Sequence, residues 1–76
     1  MVIPMLFYYY DYCLIQNYVK VLKICDEEAI IKMKHYSFIL KGCCLKITYF
    51  SKEELKIEGN ITDIKIEYEE FNQNKN

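Results

Sequence analysis

The sequence predicts an all-β fold: one small domain of about six or seven short strands, rolled or stacked as a β-roll or short β-solenoid, with a small antiparallel β-sandwich as the alternative arrangement. Three observations carry this reading. Apolar and polar residues alternate with a period of two in run after run, which puts one face of a strand on a core and the other in water. The abundant residues include Ile and Tyr, which fit a half-buried pleated surface. Turn chemistry separates the runs at short, regular intervals.

Strand signals extend from about residue 5 to residue 68. The first segment is apolar and aromatic and closes at Gln16-Asn17. Val19-Lys20-Val21-Leu22-Lys23-Ile24 is a β-branched run closed by Cys25-Asp26-Glu27-Glu28, and Ile30-Ile31-Lys32-Met33-Lys34-His35-Tyr36 alternates apolar with basic residues. Phe38-Ile39-Leu40-Lys41 follows and turns at Gly42; Leu45-Lys46-Ile47-Thr48-Tyr49 then has a clean period of two. Ser51-Lys52-Glu53-Glu54 resembles a helix N-cap but leads straight into Leu55-Lys56-Ile57-Glu58, so a single turn is expected there. Gly59-Asn60 marks the next corner, where glycine supplies a positive φ or a close backbone approach. The last strand signal is Ile64-Lys65-Ile66-Glu67-Tyr68. Before it the alternation slips by one residue at Thr62-Asp63, and a bulge would restore the register. No window holds a helical stripe over three turns. The domain is therefore expected over residues 1–68, with 69–76 as a flexible, polar C-terminal tail. The acidic corner at Asp26-Glu27-Glu28 echoes the one at Lys52-Glu53-Glu54; each enters a strand, and that repetition suggests stacked coils.

Length and charge narrow the function classes. A chain of 76 residues holds one core, and a hydrophobic fraction of 53% excludes a disordered chain. With a formal net charge of −1, no long-range field draws nucleic acid, and no nucleic-acid partner is expected. The apolar start carries Asp11, lacks a basic n-region and a small-residue cleavage site, and is too short to span a bilayer as a helix. A cytoplasmic, reducing setting with free thiols is expected for Cys13, Cys25, Cys43 and Cys44. Cys43 and Cys44 are adjacent, so on a regular strand they point to opposite faces and suit neither a mutual disulfide nor a chelating pair.

Catalysis has few candidates. His35 is the one histidine, and no cysteine-protease signature flanks any thiol. Glu53-Glu54 and Glu27-Glu28 read as solvated corners, because a glycosidase groove needs a larger scaffold. No catalytic residue, metal ligand or cofactor is assigned, and the chain is read as non-enzymatic. The lysines on nearly every strand read as protection of sheet edges against aggregation. The most suggestive functional feature is the aromatic start, Phe7, Tyr8, Tyr9, Tyr10 and Tyr12, a residue class that anchors protein interfaces and membrane headgroup zones.

From residue 16 to residue 68 the order of motifs narrows the reading. Ile39-Leu40-Lys41-Gly42 is followed by Leu45-Lys46-Ile47, then by Ser51-Lys52-Glu53-Glu54-Leu55-Lys56-Ile57-Glu58-Gly59-Asn60-Ile61, then by Ile64-Lys65-Ile66. Two I-x-G-like strand ends with an E-E-L turn between them, and a closing I-x-x-I strand, resemble the YabP/YqfC family of sporulation proteins, closer to its YqfC branch. Ile15-Gln16-Asn17 and Val21-Leu22-Lys23 resemble upstream pieces of the same pattern. The residues carrying the likeness are Gly42, Glu53, Glu54, Leu55, Gly59 and Ile61.

The resemblance implies a protein made during endospore formation in a Firmicute-type bacterium, without enzymatic activity, whose partner is a membrane protein of the YqfD type. A second copy of the chain is the other partner to be expected, and the protein would sit peripherally at a membrane during sporulation. The competing reading from a different class is a small ligand- or metal-binding β module that uses the cysteines and His35.

Overall fold

A computed structural model of the chain describes residues 5–9 and 11–68. Its regular elements are β1 (Met5–Tyr8), β2 (Tyr12–Gln16), β3 (Lys20–Ile24), β4 (Glu28–Lys32), β5 (Tyr36–Phe50) and β6 (Glu54–Tyr68). They form one six-stranded sheet in the order β1-β2-β6-β5-β4-β3, with every neighbouring pair antiparallel. The all-β class and the strand number agree with the alternation in the sequence. Residues 69–76, expected as a flexible tail, lie outside the described residues.

Three elements are drawn differently from the sequence reading. The expected strands at 38–41 and 45–49 are two ends of the 15-residue β5, and those at 55–58 and 64–68 are two ends of the 15-residue β6. The aromatic start is a hairpin, closed by Tyr9 N–H donating to the Tyr12 carbonyl at 2.8 Å. The run through His35 is not one strand. β4 stops at Lys32, and Met33 N–H donates to the Tyr36 carbonyl across a short turn that leaves His35 exposed. The alternation continues through that turn because Met33 is fully buried, as an inward strand residue would be.

Short connections force the sheet to fold over. β2 pairs with the start of β6, where Gln16 faces Glu54, whereas β3 begins at Lys20, opposite Lys32, which faces Ser37. Ser37 in turn faces Glu67, near the far end of β6. Along a straight ribbon those ends of β6 would lie about 40 Å apart. The link from Gln16 to Lys20 reaches about 14 Å at most. The ribbon β5–β6 must therefore bend near its middle and bring its two ends together. Hydrogen bonds of the link register this closure: Asn17 N–H donates to Glu53 O at 2.6 Å, the Tyr18 hydroxyl donates to Ser51 O, and Val19 N–H donates to Lys32 O at 2.7 Å. The result is a roll made by bending one antiparallel sheet, rather than by stacking coils.

The bend is written into the strand register. Thr62 is an extra residue in β6 between the pairs Lys41–Asp63 and Gly42–Ile61, the bulge that the slipped alternation called for. Cys44 and Leu45 lie between the pairs Cys43–Asn60 and Lys46–Glu58, opposite Gly59 alone. Cys44 takes a φ of 61°, and Gly59 a φ of 137°.

One core fills the space between the two halves. Cys13 and Ile15 of β2 with Leu55 and Ile57 of β6 line one side, and Ala29 and Ile31 of β4 with Phe38 and Leu40 of β5 line the other. Leu45 and Ile61 occupy the bend, and Met33 joins the same cluster from its turn. Each fully buried Ile or Leu contributes about 1.5–3 kcal/mol relative to exposure. No buried side-chain nitrogen or oxygen among the described residues lacks a hydrogen-bond partner.

Candidate functional site

The outer face of β1 and β2 is set by what lies beneath it. Cys13 and Ile15 are fully buried, so strand alternation turns Tyr12, Leu14 and Gln16 outward. Phe7 pairs with Leu14 and Met5 with Gln16, which places Met5 and Phe7 on that same outer face. Tyr9, just past β1, stacks on Tyr12 with ring centroids 4.6 Å apart and planes 19° from parallel. The Lys56 ammonium sits 4.3 Å above the Tyr12 ring, a cation–π contact of about 0.5–1 kcal/mol at an exposed site. Lys56 also approaches Glu58 at 3.6 Å, and the Thr48 hydroxyl donates to Glu58 at 3.1 Å. An apolar, aromatic strip bordered by a charged pair is thus presented to solvent.

The aromatic residues expected to form an interaction surface divide accordingly. Phe7, Tyr9 and Tyr12 share the outer face. Tyr8 turns the other way and donates its hydroxyl to the Ile61 carbonyl at 3.3 Å while staying 52% exposed. Tyr10 lies outside the described residues. Sequence reasoning missed Met5, Leu14 and Lys56 as members of this face. The β1–β2 turn that assembles it falls inside a run of aromatics, where Asp11 was the one turn residue to mark it.

Free backbone edges are the second property of the site. Among the described residues, β1 and β3 end the sheet. Because the ribbon bends, residues 46–50 of β5 and 60–68 of β6 also have a strand partner on one side only among the described residues. Three of these edge segments carry both charge and a register shift. β3 has Lys20, Lys23 and a shift between Val21 and Lys23; the β5 segment has Lys46 and a bulge; the β6 segment has Asp63, Lys65, Glu67 and the Thr62 bulge. Charge and bulges are the usual protection of an edge against pairing with another strand. β1, Met-Leu-Phe-Tyr, has neither, and its register with β2 is unbroken.

The residues that carried the family likeness meet at two places. Gly42 and Gly59 both lie at the bend. A Cβ on Gly42 would stand 2.0 Å from the Asn60 carbonyl oxygen, and one on Gly59 would stand 2.6 Å from that of Cys44. Leu40 and Ile57, two residues before each glycine, are fully buried, and Ile61 fills the bend. The I-x-G pattern therefore reads as a core side chain followed by the point where the inner face becomes too crowded for a side chain. Glu53 and Glu54 belong to the β5–β6 turn. The Ser51 hydroxyl accepts from Glu54 N–H at 3.2 Å, Glu54 accepts from the Gln16 amide at 2.6 Å, and Leu55 enters the core.

The thiols and the histidine do not gather. Cys13 is buried, and desolvation pushes its thiol up to about 12; Cys25 is exposed beyond β3. Cys43 and Cys44 are exposed at the bend, seven or more residues along β5 from the His35 turn, a separation of roughly 20 Å on an extended strand. Among the described residues, no three His, Cys, Asp or Glu side chains are grouped to hold a metal ion. One expectation about the thiols is overturned. Cys43 and Cys44 do not point to opposite faces: the positive φ of Cys44 brings the two sulfurs to 3.4 Å. The hydrogen bond with Cys44, then the Cys44 charge, desolvation and the carboxylates of Glu27 and Asp26 push the Cys43 thiol up.

Comparison with protein-family models gives a match, described as the YabP family, over residues 11–75. The chain belongs to the YabP family. The match runs from the start of the β1–β2 hairpin's second arm through the bend and beyond β6, so both glycine corners and the E-E-L turn lie inside it. The YabP family is sporulation-associated and is not known as enzymatic. No curated protein and no solved structure matches the chain. No helix among the described residues is long and apolar enough to cross a membrane.

Proposed function

We propose that this YabP-family chain is a non-enzymatic interaction protein of endospore formation, cytoplasmic and peripheral at a membrane, which receives a partner's strand along β1. The observation that carries the proposal is the contrast among the free edges: β1 is uncharged and unbulged, whereas the others are protected on both counts. Strand addition uses such an edge for main-chain hydrogen bonds and uses neighbouring side chains for specificity. Phe7, Tyr9 and Tyr12 supply those side chains, with Lys56 beside them. Likeness to the YqfC branch supports a membrane protein of the YqfD type as the partner.

A second reading, self-association, has its own support. An unprotected edge can pair antiparallel with the same edge of another copy, and a two-fold axis would then close the assembly.

The test is a pull-down of the C-terminally tagged chain from sporulating and vegetative cells, in parallel with a Phe7→Lys/Tyr9→Lys double variant. Capture of a membrane protein from sporulating cells alone, reduced at least tenfold by the double variant with an unchanged circular dichroism spectrum, is the expected result. Capture of only the chain itself would favour the dimer. Equal capture by parent and variant, or equal capture from vegetative cells, would overturn the proposal.

A further inference from the structure

The bend of the ribbon holds two sulfurs side by side, independently of the β1 surface. On a regular strand Cys43 and Cys44 would face opposite ways. Here Cys44 adopts a φ of 61° within a bulge, and its Sγ lies 3.4 Å from that of Cys43. Both side chains are exposed. The backbone on either side is tied to the β3–β4 turn: Gly42 N–H donates to the Glu27 carbonyl at 3.1 Å, and Leu45 N–H donates to the Asp26 carbonyl at 2.9 Å. Opposite, Gly59 leaves no room beyond the Cys44 carbonyl. The dipeptide is thus fixed on three sides with its thiols in contact. A disulfide needs an S–S separation of about 2.05 Å and a defined torsion, so closure brings the two sulfurs about 1.4 Å nearer. Adjacent Cα atoms, about 3.8 Å apart, fall short of the usual span of about 4.4–6.8 Å, so the backbone between them adjusts as the ring closes.

We propose that Cys43 and Cys44 form a vicinal dithiol that small-molecule disulfides oxidise to a ring disulfide closed across the intervening peptide bond. In the first step one thiolate attacks the oxidant R–S–S–R. An S–S bond forms to the protein, the oxidant's S–S bond breaks, and R–S⁻ leaves and takes up the proton that the attacking thiol released. In the second step the neighbouring sulfur attacks the mixed disulfide, the Cys43–Cys44 bond forms, and a second R–SH departs. Two electrons pass from the two thiols to the oxidant, which ends as two thiols. Cys13 is excluded from this chemistry by burial. Cys25, although exposed, has no neighbouring sulfur placed against it as these two have.

The experiment treats the reduced full-length chain with oxidised glutathione, once in native buffer and once in concentrated urea, then traps free thiols with N-ethylmaleimide and maps tryptic peptides by mass spectrometry. Cleavage after Lys41 and Lys46 isolates the dithiol from the other cysteines. The expected native product is that peptide about 2 Da lighter than its dithiol form and carrying neither label, with a ring-to-adduct ratio at least tenfold above that in urea. A Cys25→Ser variant gives the same product, and a Cys43→Ser variant stops at a glutathione adduct on Cys44. A persistent glutathione adduct in the parent chain, maleimide on both sulfurs, a cross-link to Cys25, or an equal ratio in urea would overturn the proposal.

Discussion

At the scale of single residues, the bend depends on the two glycines. Gly42 is required by space: the Asn60 carbonyl occupies the position its Cβ would take, and both partners are backbone, so no side-chain rotation relieves the clash. Gly59 is required by space and by its φ of 137°, which side chains rarely allow. Gly42→Ala is expected to cost about 2–4 kcal/mol in urea unfolding, while the exposed neighbour change Lys41→Ala stays within about 0.5 kcal/mol. A Gly42→Ala midpoint equal to that of the parent would show that the ribbon bends elsewhere. The sequence marks these positions as corners, and both glycines are there. It could not show that they lie at the same corner, because the approaches of Gly42 to Asn60 and of Gly59 to Cys44 join distant residues through the pairing of β5 with β6. The apposition of Cys43 and Cys44 was equally hidden, since a left-handed residue in a strand has no signature when the residue is not Gly, Asn or Asp.

At the scale of elements, the edges divide by chemistry. The lysines of β3 hold a sheet end whose apolar residues are otherwise open: Val19, Leu22 and Ile24 are 53%, 50% and 40% exposed. Lys23 pairs with Glu28 at 2.8 Å on the neighbouring strand, an exposed contact that adds little stability. Its larger role is to keep other strands away. The double change Lys20→Val/Lys23→Val is expected to leave the unfolding midpoint nearly unchanged but to convert the chain into concentration-dependent oligomers in sedimentation velocity. A monomer at all concentrations would remove edge protection as the reason for those lysines. The lysine pattern was legible before the structure, as was the Thr62 bulge, because both leave marks on local alternation. Which strands are edges was not legible. β5 and β6 are central over one half of their length and open over the other, a property of the bend rather than of either segment.

At the scale of the whole molecule, the two halves are held by one core, and Cys13 is its titratable member. Burial raises its folded-state value from 9.0 to about 12, so the folded chain keeps this proton when the unfolded chain has released it. The sign follows: this contribution is fully present below about pH 9 and is lost as pH rises from there through about pH 12. Urea midpoints of the parent should therefore fall more steeply between pH 9 and pH 10.5 than those of Cys13→Ala, although the variant is about 1 kcal/mol less stable at neutral pH. Comparing the two slopes cancels the lysines and tyrosines common to both chains. Parallel slopes would mean that the thiol is exposed before the core opens.

The sequence by itself determined the all-β class, the turn positions near residues 17, 26 and 52, the Thr62 bulge and the inward faces of most strands. All of these follow from local alternation and turn chemistry, which act over a few residues. Only the tertiary structure decided that the sheet bends into a roll, that β1 is its one unprotected edge among the described residues, and that two adjacent thiols share a face. The bend arises because a three-residue link must join β2, paired with one end of the 15-residue β6, to β3, which lies beyond β5 and β4 from its other end. That is a closure condition on the whole chain, and no short window of sequence contains it.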